Sequence, residues 1–253
     1  MSNGQFFFVT SPTALRQYPH PMKLLRLLAC VAMVSIAVGR AADNELTAAE
    51  KAAGWELVFD GHSFAGLRAY RQKGPPTVGW EIKDGLLKTI PKVKGPELIT
   101  EKKFTDFEFS WEWRLAPGAN NGIKYCVTEE RPGAPGYEYQ MLDDKRHPDA
   151  QHGPIRQTAS FYFVLPPAAD KAYREAGEWN QSRVVIKGNH VEHWLNGRLA
   201  LAYDLGSEAV KAGVAASKFA KQPGFGDKIT GHIMLTYHED ECWYRNVKIR
   251  ELK

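Results

Sequence analysis

Nine consecutive residues, Phe107-Glu-Phe-Ser-Trp-Glu-Trp-Arg-Leu115, alternate apolar and polar without a break. Residues 107, 109, 111, 113 and 115 fall on one face of an extended chain, and Glu108, Ser110, Glu112 and Arg114 on the other. A helix would scatter both sets around its axis. A strand this long and two-faced must have one side covered, so it commits the chain to a sheet packed against a second layer. Residues 123–127 and 137–141 repeat the alternation, placing Lys124 on one polar face and Glu138 with Gln140 on another. Residues 184–187, 190–195 and 198–204 read as a meander, with turns at Gly188-Asn189 and Asn196-Gly197 that suit positive φ.

Further strands are expected at 55–59, 80–82, 86–87, 233–238 and 243–250, with Asp84-Gly85 as hairpin punctuation. Helices are few. Thr47 and Glu50 make a capping box ahead of Ala48, with Gly54 as the stop, and residues 207–219 are the other helical candidate. Many short strands without a βαβ rhythm imply an all-β antiparallel sandwich with one or two short helices, in one domain from residue 42 to 253.

The formal charge of +4 resides in the first 41 residues, which hold Arg16, Lys23, Arg26 and Arg40 and no acid; the remainder carries 29 basic and 29 acidic side chains. A neutral surface argues against nucleic acid as a partner. Met22-Lys23-Leu24-Leu25-Arg26 precedes an apolar run from Leu27 to Val38, with small residues at Gly39 and Ala41. That is the layout of a secretory signal peptide over residues 1–41, with Met22 a possible true start, and the run is too short for a membrane span of about 20 residues. The mature chain is therefore expected to be exported, periplasmic or extracellular, without a stable membrane span; its oligomeric state is left open. Cys126 and Cys242 are the only cysteines past the signal, and their separation leaves a disulfide undecided.

Seven ordered motifs carry a resemblance. They are Gly54-Trp-Glu-Leu-Val-Phe-Asp-Gly61, Asp106-Phe-Glu-Phe-Ser-Trp-Glu-Trp-Arg114, Asn120-Asn-Gly-Ile-Lys124, Gly136-Tyr-Glu-Tyr-Gln-Met-Leu-Asp-Asp144, Gly177-Glu-Trp-Asn180, His193-Trp-Leu-Asn-Gly197 and Trp243-Tyr-Arg-Asn-Val-Lys-Ile-Arg250. Together they resemble the 3-keto-disaccharide hydrolase domain family. The resemblance implies a concanavalin A-like, laminin-G-like jelly roll whose concave sheet holds a carbohydrate substrate, in exported proteins acting on 3-oxo-glycosides. The chain departs from the family pattern at Thr236 and Tyr237, where Leu235-Thr-Tyr-His-Glu239 stands for the usual Leu-Gln-Asp-His-Gly. It departs also at Asn121, where the family has serine, and at Phe163, where an acid is common.

A ketone at C3 acidifies the C2 proton, so that the C1 oxygen can leave by elimination before water adds back. Such chemistry needs a base near C2, a cation or donor for the enolate oxygen and an acid for the leaving group. Glu138 is the expected base or metal ligand, Lys124 the cation, and His238, at a strand end, a third catalytic group. Gln140, Arg114, Asp143, Trp194 and Asn121 are expected to bind substrate. One divalent metal, held by Glu138 and His147, could act as Lewis acid. Against these stand plainer readings: a solvent-facing strand glutamate, a cross-strand ion pair for Lys124 or Arg114, a turn for Asp143 and a solvated loop for His147, Asp149 and His152. His193 shares an apolar face with Val191 and Leu195 and reads as a core histidine, while Trp55, Trp80, Trp111, Trp113 and Trp243 read as core. A non-catalytic carbohydrate-binding module is the alternative to an enzyme. A conventional β-glucanase is disfavoured because Gln140 stands where a second acid would be needed.

Overall fold

The computed structural model describes residues 43–131 and 133–253, so the expected signal peptide lies outside the described residues. The strands are β1 (Glu56–Leu57), β2 (Leu67–Ala69), β3 (Trp80–Lys83), β4 (Leu86–Thr89), β5 (Leu98–Thr100), β6 (Phe107–Leu115) and β7 (Asn120–Val127). They continue with β8 (Tyr137–Leu142), β9 (Asn180–Lys187), β10 (His190–Leu195), β11 (Arg198–Asp204), β12 (His232–Leu235) and β13 (Cys242–Glu251). Helices α1 (Ala48–Ala52) and α2 (Glu208–Ala215) and two 3₁₀ turns, Pro148–His152 and Pro154–Arg156, complete the described elements.

All pairings between these strands are antiparallel, in two sheets. The larger runs β11-β10-β9-β6-β13-β4-β3, with β1 also on β13, and the smaller runs β2-β5-β12-β7-β8. This is the β-sandwich of the concanavalin A-like jelly-roll class. The nine-residue alternation becomes β6, central in the larger sheet, with Phe107, Phe109, Trp111, Trp113 and Leu115 turned into the core. From the smaller sheet, Ile123, Tyr125, Tyr137, Tyr139 and Met141 meet them, and the Trp111 and Tyr139 rings pack edge to face at 5.0 Å. Burying side chains of this size contributes about 1.5–3 kcal/mol each, the dominant force closing the two sheets. His193 lies inside this core. Its Nδ1 donates to the Ala159 carbonyl at 3.0 Å and its Nε2 accepts from the Tyr125 hydroxyl at 2.9 Å.

The Thr47–Glu50 capping box forms as expected, and Asp84 and Gly85, both at positive φ, turn β3 into β4. Four expectations change. The strand expected at 233–238 is β12, His232–Leu235, which ends before Thr236 and leaves His238 in the loop beyond it rather than at a strand end. Helix α2 ends at Ala215 rather than Phe219, because Ser217 turns back to donate to the Val214 carbonyl and accept the Phe219 N–H. The strand at 55–59 shrinks to Glu56–Leu57, since its next residues bond to Val247 outside the ladder. Trp55 and Trp243 are not core: they lie half-buried on the outer face of the larger sheet, beneath Arg250 and Arg114. Cys126 and Cys242 are buried free thiols.

Candidate active site

On β7 and β8, Lys124 pairs in register with Glu138 and Gly122 with Gln140. Residues opposite one another on antiparallel strands share a face, so these four project from the outer side of the smaller sheet while Ile123, Tyr125, Tyr137 and Tyr139 fill the core. The Lys124 ammonium lies 3.7 Å from Glu138 Oε2. Glu138 is only 7% exposed, and its carboxylate lies across Gly122: a Cβ there would stand 2.5 Å from Oε1. Gly122 is therefore what lets the carboxylate lie flat over the sheet. Gln140 Oε1 has no hydrogen-bond partner among the described residues, an unusual state for a buried carbonyl.

Two further segments build walls. Residues 158–162 run along the free edge of β8: Ala159 N–H bonds to the Gln140 carbonyl, Gln140 N–H to the Ser160 carbonyl and Tyr162 N–H to the Glu138 carbonyl. This covers an edge that would otherwise be open and brings Tyr162 into the field of the carboxylate. Beyond α2 the chain sets Lys218 among aromatic rings, its Nζ 4.6 Å from the Tyr162 centroid, 4.8 Å from Phe163 and 5.3 Å from Phe219. Lys124, Glu138, Lys218, Phe219 and Gln222, with residues 133–136, line a cavity of about 300 Å³. That is at the small end of ligand sites and suits one sugar ring.

Electrostatics follow from this packing. Crowding by protein pushes the Lys218 ammonium below its ordinary pKa; the Glu138 charge opposes the shift and Lys124 and Arg156 add to it. His238 is accessible to solvent, yet the protein around it also lowers its pKa, against the pull of Glu138. Its imidazole is accordingly neutral near pH 7 and within the field of both Glu138 and Lys124. Burial and the Asp149 carboxylate raise the Tyr162 phenol; that carboxylate accepts the Tyr162 hydroxyl at 2.7 Å.

The structure thus brings Glu138, Lys124, Gln140 and His238 to one region. It does not bring the rest. Asn121 points inward opposite Met141, and its Oδ1 accepts from the Thr236 hydroxyl at 2.8 Å and from Gly122 N–H. Asp143 is fully buried and accepts from the Gly118, Lys145 and Arg146 N–H groups and the Arg146 guanidinium. Burial opposes its ionisation, but those four donors outweigh it and hold the carboxyl below its ordinary range. Arg114 and Trp194 belong to the outer face of the larger sheet, where Arg114 stacks on Trp243 and Trp194 donates to Glu192. A second cavity there, about 360 Å³, has its charges already satisfied: Glu108 pairs with Arg183 and Arg250, and Lys248 with Glu50. Lys218 and Tyr162 were not anticipated; no local pattern marks residues that only the folded chain sets beside Glu138.

The expected metal does not fit these residues. His147 uses Nδ1 to accept the Asp149 N–H at 3.1 Å, capping the first 3₁₀ turn. Among the described residues no three His, Cys, Asp or Glu side chains converge as a metal ion requires. The Thr236 and Tyr237 departures are absorbed by the fold: Thr236 bonds to Asn121, and the Tyr237 hydroxyl donates to the Ile90 and Val93 carbonyls.

Comparison with known proteins is consistent with this architecture. A candidate glycosyl hydrolase from Parabacteroides distasonis superposes with a TM-score of 0.76 at 32% identity, covering 84% of this chain and all of that one. A second candidate glycosyl hydrolase from the same organism, at 23% identity and TM-score 0.62, shares the fold over 78% of this chain and 99% of its own. The 3-keto-disaccharide hydrolase of Bacteroides thetaiotaomicron is 32% identical over 230 residues, 79% of each chain. Residues 54–250, which hold both sheets and every wall of the cavity, match the 3-keto-alpha-glucoside-1,2-lyase-like domain, and the chain belongs to that family.

Proposed function

We propose that this protein is an exported enzyme that cleaves 3-oxo-glycosides by elimination across C1 and C2 followed by hydration. The observation that carries the reading is the Glu138 carboxylate, nearly buried and aimed with Lys124 into one small cavity. The description of the family as lyase-like across C1 and C2, and the name of the Bacteroides relative as a hydrolase, support the two halves of the reaction.

Glu138 removes the proton at C2, which the neighbouring ketone has acidified. The electron pair passes onto the C3 oxygen, where the Lys124 ammonium stabilises it. Collapse of the enolate expels the C1 oxygen, which leaves as the alcohol after taking up a proton. Water then adds at C1 of the enone, giving a proton to the neutral imidazole of His238, and Glu138, its carboxyl proton exchanged with solvent while the alcohol departs, protonates C2. Gln140, expected to bind substrate, is buried beside Glu138 and does not line the cavity, so no sugar contact is assigned to it. In a test with the full chain and 3-oxo-trehalose, released 3-oxo-glucose is expected from the wild type, and Glu138→Gln should lower kcat by about 10²–10⁴, the worth of a general base. Equal turnover by both proteins would remove Glu138 from the mechanism, and binding of the sugar without turnover by either would make the protein a carbohydrate-binding module.

A further inference from the structure

The elimination leaves one proton without a source, the one taken up by the departing alcohol. In an α-glucoside the C2 hydrogen and the C1 oxygen are both axial and lie on opposite faces of the ring. A base on one face therefore calls for an acid on the other. Glu138 and Lys124 both rise from the sheet, and their ion pair keeps Lys124 on the same side as the base. Lys218 enters the cavity from a different element, the segment beyond α2.

We propose that Lys218 is the acid that protonates the leaving oxygen of the 3-oxo-glycoside. The inference rests on the cleavage reading above and adds a residue to it. As the C1–O bond breaks, its electron pair stays on the aglycone oxygen, which takes a proton from Nζ; hydration then leaves the water's proton on His238, and its release to solvent balances the proton that the Lys218 amine takes up from solvent, restoring both groups. Three features fit the role. The Tyr162, Phe163 and Phe219 rings hold a side chain that otherwise has four free torsions, fixing its ammonium at the cavity. Among the described residues no carboxylate lies within ion-pair distance of Nζ, so giving up the proton breaks no salt bridge. The Lys218 pKa is also lowered toward working pH, which favours proton donation.

The experiment compares two substrates with the full chain: 3-oxo-trehalose, whose leaving sugar hydroxyl needs a proton, and p-nitrophenyl 3-oxo-α-glucoside, whose phenolate does not. Lys218→Met should lose about 100-fold more kcat on the first than on the second, the usual worth of a general acid. Lys218→Arg keeps the charge but cannot release a proton, so it should behave like the methionine variant. Equal losses on both substrates would reduce Lys218 to a positioning residue, and recovery by arginine would reduce it to a charge; either result overturns the proposal. If the wild type cleaves both substrates and the variants match it, the proposal fails while the cleavage reading stands. If the wild type cleaves neither, the cleavage reading fails and the proposal with it.

Discussion

Gly122 governs the site without touching a reacting atom. Its missing side chain is the space that Glu138 Oε1 occupies, so Gly122→Ala must displace the carboxylate while leaving the backbone as it is. A displacement of about 1 Å in a reacting group can cost 10²-fold. Gly122→Ala should therefore lower kcat/KM for 3-oxo-trehalose by about 10–100-fold with a urea midpoint close to wild type, both read on the purified full chain. The parity of β7 and β8 was legible in the sequence: once Ile123 and Tyr139 are core, Lys124, Glu138 and Gln140 must face outward. The same parity places Asn121 inward, two residues before Ile123, so its burial against Met141 follows from the alternation, and a motif match alone misassigned it. Lys218 carried no such signal. It is 80 residues from Glu138 in sequence, and only the early end of α2 turns it toward the sheet.

At the scale of elements, the site depends on segments with little regular structure. Asp143 ties the β8 exit to the loop at Gly118, and Thr158 bonds both the N–H and the carbonyl of Leu142, which holds the 158–165 segment on the edge of β8. Removing the Asp143 carboxylate strands the part-buried N–H groups of Gly118, Lys145 and Arg146. Asp143→Ala is expected to lower stability by about 2–3 kcal/mol in urea unfolding, the worth of charge-assisted bonds lost with their partners left behind. Binding of 3-oxo-trehalose by the folded fraction should not change, because Asp143 does not line the cavity. Helix α2 is anchored by Ser207, whose hydroxyl accepts the Val210 N–H at 3.3 Å. Ser207→Ala should cost about 1 kcal/mol. The presence of that helix was legible in the sequence, whereas its end was not, because Ser217 bonds backward in a turn that composition does not announce.

At the scale of the whole molecule, the two-sheet sandwich was legible because its strands are strongly two-faced and their turns carry Gly, Asn and Asp where positive φ is needed. Strand order was not, since it depends on pairings such as β6 with β13 that are remote in sequence. In the core, His193 links stability to pH. Burial pushes His193 down from 6.5 to about 4, against the Ala159 carbonyl that favours its charged form. The unfolded chain takes up this proton first, so the contribution is whole above about pH 6.5 and is lost as pH falls toward 4, by roughly 3 kcal/mol. His193→Gln should flatten that part of the stability curve in urea unfolding between pH 4 and 7. The central claim, that cleavage begins with loss of the C2 proton to Glu138, is tested most directly by turnover of 3-oxo-trehalose in D₂O with NMR of the product before uncatalysed exchange sets in. Elimination and hydration predict deuterium at C2 of the released 3-oxo-glucose; a product that keeps protium at C2 at full turnover would contradict it.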